Sequence, residues 1–182
     1  MKHSFSLEET DYLTHQLFIA STSKPAIWRR RRSWIMSTLA FAIFALLMDQ
    51  NNNEFLRNYF IGAAFLSLFL FPLYSRWRYK KHYKKHVNEH FSKSFGKQVA
   101  VEFQEDHILT QDEYNSESKI SYSLIESLNE LPEHFLVRLN NGQSLILPKN
   151  KIGQLDRLQA DLTKLGNKMG HKLMDHTNWK WK

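Results

Sequence analysis

Two stretches of this chain are apolar around the whole circumference of a helix, and the rhythm of polar and apolar positions changes on either side of them. The first runs from Trp34 to Met48 (WIMSTLAFAIFALLM), with Ser37 and Thr38 as its only polar residues. The second runs from Tyr59 to Tyr74 (YFIGAAFLSLFLFPLY) and carries no charge. A helix on the surface of a soluble protein normally keeps a polar face, so both stretches predict membrane spans joined by the loop Asp49 to Asn58. Each covers roughly 22–24 Å at the helical rise, short of a hydrocarbon layer of about 30 Å. Flanking side chains make up the difference. Trp28, Trp34, Tyr74 and Trp77 are expected at the interface, with arginine stems reaching toward the headgroups. The competing reading is a helical hairpin buried inside a soluble protein. Small residues, Ala40, Ala42 and Ala45 in the first span with Gly62, Ala63 and Ser67 in the second, would let the two helices approach closely.

Before the first span, His3 to Phe5 reads as a short extended piece. Ser6 and Glu9 have capping-box spacing, and Tyr12, Leu13, Leu17, Ile19 and Ala20 continue as a helix until Ser21–Ser23 and Pro25. Its charges are mostly acidic, so packing on the soluble domain is expected in preference to an anionic bilayer. After the second span the helix should continue, because Tyr79, Tyr83, Val87, Phe91 and Phe95 recur at every fourth position. His82, His86 and His90 recur beside them. Histidines at that spacing can share a metal, but the surrounding lysines oppose a cation and no H-E-x-x-H motif is present. The polar flank of a juxtamembrane helix is the preferred reading, with lipid contact as a further option.

From Lys97 onward the period becomes that of strands. Val99, Val101 and Phe103 alternate; Ile108 to Gln111, Lys119 to Tyr122 and Leu124 to Leu128 follow. Phe135, Val137 and Leu139 alternate again, and Asn140-Asn141-Gly142 is a hairpin signal before Leu145 to Leu147. An antiparallel meander of five or six strands is predicted. A helix then begins near Asn150, with Ile152, Leu155, Leu158, Leu162 and Leu165 on one face and Gly166 as its C-cap. The closing NWKWK suits a membrane interface, docking on the domain, or disorder. The segments are 1–32 (strand and helix), 33–78 (membrane hairpin), 79–96 (juxtamembrane helix) and 97–182 (β domain with C-terminal helix).

Charge sharpens this picture. The 182 residues carry 25 basic and 18 acidic side chains, a net +7. Eleven of the cations sit in two acid-free clusters that flank the apolar blocks: Lys24 with Arg29, Arg30, Arg31 and Arg32, and Arg76, Arg78, Lys80, Lys81, Lys84 and Lys85. The connecting loop has only Arg57. By the positive-inside rule the loop faces outward and both termini lie in the cytoplasm. Without the clusters the chain is slightly acidic, and residues 97–182 are nearly neutral, so nucleic-acid binding is not expected. Cysteine is absent, which excludes disulfides, thiolate metal sites and a cysteine nucleophile.

The layout resembles that of the YcxB-like membrane proteins of bacteria. The residues that carry the resemblance are Phe103-Gln104-Glu105-Asp106-His107-Ile108, Ile120-Ser121-Tyr122-Ser123-Leu124-Ile125 leading to Glu130, Phe135 to Val137, and Leu145-Ile146-Leu147-Pro148-Lys149. His107 stands where a glycine is usual, and Ile152 where an aromatic residue is common. The resemblance implies an α+β chain in the bacterial inner membrane. Its cytoplasmic domain would be similar to bacterial pleckstrin-homology-like domains, with a curved antiparallel sheet or partial barrel closed by a C-terminal helix. It implies no catalytic residues.

No phosphate-cradling glycine loop or nucleophile elbow is present. Glu105-Asp106 and Asp112-Glu113 fall at predicted turns, and His171 and His176 are too loosely placed to name as ligands. The expectation is a non-enzymatic, membrane-tethered interaction or signalling module without cofactor or metal. Its partners would be the bilayer and either a protein or a lipid headgroup. A homo-oligomeric structural or channel-forming subunit is the alternative, and an unrecognised enzyme a further one.

Overall fold

The computed structural model describes residues 2–114, 116–170 and 172–181. The chain divides into two compact units: one takes in the chain up to His15 together with His86–Lys180, and the other Gln16–Lys85 with Trp181.

The first unit opens with β1 (Lys2–Ser6) and the start of α1 (Glu9–Thr22), and resumes at the end of α3 (Glu54–Phe91). It continues through β2 (Gln98–Phe103), β3 (His107–Asp112), β4 (Glu117–Ser121), β5 (Ile125–Glu130), β6 (His134–Leu139) and β7 (Ser144–Pro148). α4 (Leu155–Met169) and the short β8 (Leu173–Asp175) complete it. The six strands of the predicted meander are present. They do not close into a barrel. A 3-10 turn at Tyr122–Leu124 breaks the meander into two four-stranded sheets, ordered β1-β2-β3-β4 and β7-β6-β5-β8.

Each sheet recruits a strand from outside the meander. β1 pairs antiparallel with β2, His3 opposite Val101 and Phe5 opposite Val99, and the two buried positions of β1 are His3 and Phe5. β8 pairs in parallel with the end of β5, Leu128 opposite Leu173. The β6–β7 hairpin turns at Gly142, whose φ of 85° needs a residue without a side chain, and Asn141 Oδ1 accepts the Gln143 N–H at 2.9 Å. Val101, Ile108, Leu128, Leu131, Leu147 and Leu158 are wholly buried, as is Val87 from the end of α3. Tyr12 of α1 stacks on Phe91 with ring centres 4.8 Å apart, so the first turns of α1 do pack on this unit.

Three local expectations are corrected. The capping pair at the start of α1 is Glu8 and Asp11, because Ser6 is committed to β1; Asp11 Oδ2 accepts the Glu8 N–H at 2.8 Å. The last helix starts at Leu155, since Lys149–Lys151 forms a 3-10 turn and Ile152 is extended. Its C-cap is Gly170, left-handed at φ 69°, while Gly166 is a buried position inside the helix.

In the second unit α2 (Lys24–Gln50) and α3 form an antiparallel hairpin. Both are long and apolar enough to cross a membrane, and only 6% and 0% of their most apolar windows are buried. A core helix of a soluble protein would hide that surface. The two helices are held by Thr38 Oγ1 and Ser67 Oγ, 2.9 Å apart, and by Phe44 stacked on Phe60. Ala45 is buried as expected, whereas Gly62 is exposed and meets no close neighbour. Arg57, the one cation of the connecting loop, is paired with Asp49 at 2.9 Å.

Candidate functional site

Three polar constellations stand out. The first lies in the interior of the strand-rich unit. Asp11, buried on α1, accepts from His134 Nε2 at 2.8 Å, from Lys151 Nζ at 2.9 Å and from the Glu8 N–H. Burial alone would raise its pKa. The hydrogen bonds from His134, the Glu8 amide and Lys151, with the charge of Lys151, outweigh that and hold the carboxyl well below the usual carboxylate range. His15 is pushed down to about 4, first by burial and then by the nearby charges of Arg138 and His134, so it is neutral at pH 7. Asp11 and His134 are sealed from solvent, at 5% and 6% exposure. A general acid or base must reach its substrate; this group is built as a fastening between α1, β6 and the 3-10 turn after β7.

The second constellation is an open groove of about 520 Å³ where the β2–β3 turn and the end of β4 meet α4. Phe103, Glu105 and Tyr122 line one wall, and Asp161, Lys164 and Lys168 the other. Burial, then the charges of Asp106 and Asp161, push the Tyr122 phenol upward. It stays protonated and donates to the Gln104 carbonyl. Lys168 donates to the Glu105 carbonyl and lies 5.7 Å from the Tyr122 ring. A further recess at Tyr122, Ser123, Ile125 and Met169 extends the groove past the break between the sheets. Among the described residues no strand pairs with the outer edge of β4, and β8 covers β5 only from Leu128 to Glu130.

The third is a pocket of about 180 Å³ within the helical unit, lined by Arg29, Arg30, Tyr79, His82, Tyr83 and Trp181. The Arg30 guanidinium lies 5.0 Å from the Trp181 ring and 6.0 Å from that of Tyr79, and Trp181 Nε1 donates to the Arg76 carbonyl at 3.3 Å.

The residues singled out in the sequence distribute among these. Of the expected interface set, Trp28, Tyr74 and Trp77 are exposed, with Arg32 over Trp28 and Lys81 over Trp77. Arg31 and Lys80 are exposed, Trp34 is half-buried, and Arg78 lines a neighbouring cleft. Of the motif residues, Phe103, Glu105 and Tyr122 come together in the groove. Ile108 and Ile120 are register partners on β3 and β4, while Ile125 and Pro148 are buried. Asp106 bonds His107, the departure from glycine, at 2.5 Å, and Lys149 pairs with Glu130 at 2.7 Å. Glu113 pairs with Lys97 at 3.1 Å, and Asp112 Oδ1 caps the β3–β4 turn. The rings of His86 and His90 are 4.1 Å apart, and no group of three or more His, Asp or Glu among the described residues could hold a metal. His171 lies outside the described residues. Sequence reasoning passed over Asp11, His15, His134 and Lys151, because nothing in their local spacing brings them together.

No curated protein and no solved structure matches the chain. Residues 103–160, the stretch from the end of β2 through β7 into the first turns of α4 and including the wall of the groove formed by Phe103, Glu105 and Tyr122, match the family described as YcxB-like protein.

Proposed function

We propose that this chain is a non-enzymatic interaction module anchored in the bacterial inner membrane by a two-span hairpin. Both termini and the strand-rich unit would lie on the cytoplasmic side. Its connectivity supports the topology: β1 precedes the hairpin, β2 follows it, and the two are neighbours in one sheet. A folded sheet lies on one side of a bilayer, so both outer ends of the hairpin return to that side. The cation clusters on those ends favour the cytoplasm. A four-stranded and a three-stranded antiparallel run followed by α4 also fits a pleckstrin-homology-like domain, with the hairpin inserted after its first strand.

The observation that carries the binding role is the outer edge of β4 beside the groove, with which no strand pairs among the described residues. An exposed strand edge offers a row of backbone donors and acceptors, and an extended segment of a partner protein can add to it while its side chains enter the groove. Placing a photocrosslinking residue at Lys119 on β4, and separately at Asn141 in the β6–β7 turn, tests this in cells. One recurrent protein captured from Lys119 and absent from Asn141 is the expected result. Recovery of only this same chain would favour the oligomeric subunit, and no capture from Lys119 would sink the reading.

A further inference from the structure

The pocket within the helical unit has the composition of an anion site. Arg29 and Arg30 from the start of α2 and His82 from α3 line it with Tyr79 and Tyr83, whose phenols can donate, and no carboxylate side chain lines it among the described residues. Guanidinium groups bind phosphate through paired N–H donors. Arg30 is held in place against Trp181 and Tyr79, so less side-chain freedom is lost when an anion arrives.

What the pocket adjoins indicates which phosphate it takes. Tyr79 and His82 are shared with a second cleft of about 300 Å³ that runs along Arg78, Ser75 and Ser33 to Phe71 and Tyr74. Phe71 belongs to the apolar block of α3. A ligand filling both would place an anion among arginines, polar groups beside the serines and an apolar chain against the span. That is the order of groups in a phospholipid. Basic pockets between spans on the cytoplasmic side are suited to anionic headgroups.

The geometry points to a specific site for one anionic phospholipid, its phosphate held by Arg29, Arg30 and His82 and its acyl chain leaving past Phe71. This rests on the two helices lying in a membrane and is independent of what binds at β4.

The test uses the full chain in mild detergent, titrated with dioctanoyl phosphatidylglycerol, dioctanoyl phosphatidylcholine or glycerol phosphate, with bound copies counted by native mass spectrometry. One phosphatidylglycerol should be retained about tenfold more tightly than phosphatidylcholine. Arg29→Gln with Arg30→Gln should lose that preference. Arg31→Gln with Arg32→Gln removes the same charge outside the pocket and should leave it within about twofold. Equal losses in the two double variants would overturn the site in favour of diffuse attraction. Equal retention of the two lipids would overturn it outright. Glycerol phosphate binding as tightly as phosphatidylglycerol would show a free phosphate-ester site and overturn the lipid assignment. Elution volume and helical content check each variant's fold. If the first double variant misfolds, His82→Gln, at an exposed position of α3, replaces it, with an expected loss of about threefold and no change overturning the proposal.

Discussion

His134 Nε2 and Asp11 Oδ1 meet 2.8 Å apart, although 123 positions of chain separate them. The contact fastens α1, which precedes the hairpin, to β6, which follows it. It works because Lys151 and the Glu8 amide satisfy the second carboxylate oxygen.

Removing one partner strands the rest in a low-dielectric interior. Asp11→Ala should therefore destabilise the strand-rich unit by about 3 kcal/mol, read as a lower urea midpoint of the near-ultraviolet circular dichroism signal. A loss below about 1 kcal/mol would mean that the contact is no better than an exposed ion pair.

Acid should loosen the same region in two stages. His15 titrates near its ordinary value of 6.5 when unfolded and at about 4 when folded, so the unfolded chain binds the extra proton between those values. Stability then falls as pH drops from about 6.5 to about 4, by up to about 3 kcal/mol. Asp11 contributes stability above its unfolded value, and this is lost at lower pH still, as the depressed folded carboxyl protonates. His15→Gln should flatten the upper stage and leave the lower one; thermal melts from pH 7 down to about pH 2 separate them.

Because β1 and Asp11 come from before the hairpin, a fragment beginning at Lys97 lacks an edge strand and an internal ion pair. It should be insoluble or partly folded. Replacing residues 16–85 with a flexible Gly/Ser linker should instead give a soluble protein with a cooperative unfolding transition. Sedimentation and dispersed amide resonances would tell the two apart.

Gly170 ends α4 with φ at 69°, a conformation in which a side chain is strained. Gly170→Ala should cost about 1 kcal/mol, measurable as a shift in the urea midpoint of either the full chain or the linked version.

The strands β2 to β7 were legible in the sequence as short apolar and β-branched runs bounded by turn residues, although β6, buried at all but one of its positions, has no single buried face. α2 and α3 were legible because a helix that is apolar around its whole circumference has no face to turn toward water. What escaped was non-local. Nothing in KHSFS specifies Val99 and Val101 as partners rather than another strand, and LMD in β8 is too short to show a period. Gly166 and Gly170 both suit a cap by composition; Gly166 is itself buried within the helix, and Gly170 is the one that takes the left-handed φ. The lining of the groove was half visible, since Phe103, Glu105 and Tyr122 stood out by resemblance, whereas Asp161, Lys164 and Lys168 look like any solvated helix face.

In the proposed topology the hairpin crosses the bilayer twice and returns the chain to the strand-rich unit on the cytoplasmic side. With no native cysteine to remove, single cysteines at Ser4, Gln50 and Glu133 can be probed in intact cells with a membrane-impermeant maleimide. All three positions are exposed. Labelling of Gln50→Cys alone, with Ser4→Cys and Glu133→Cys reacting only after permeabilisation, is the predicted result. If Ser4→Cys and Glu133→Cys fell on opposite sides, or if all three reacted only after permeabilisation, the two-span hairpin would be contradicted.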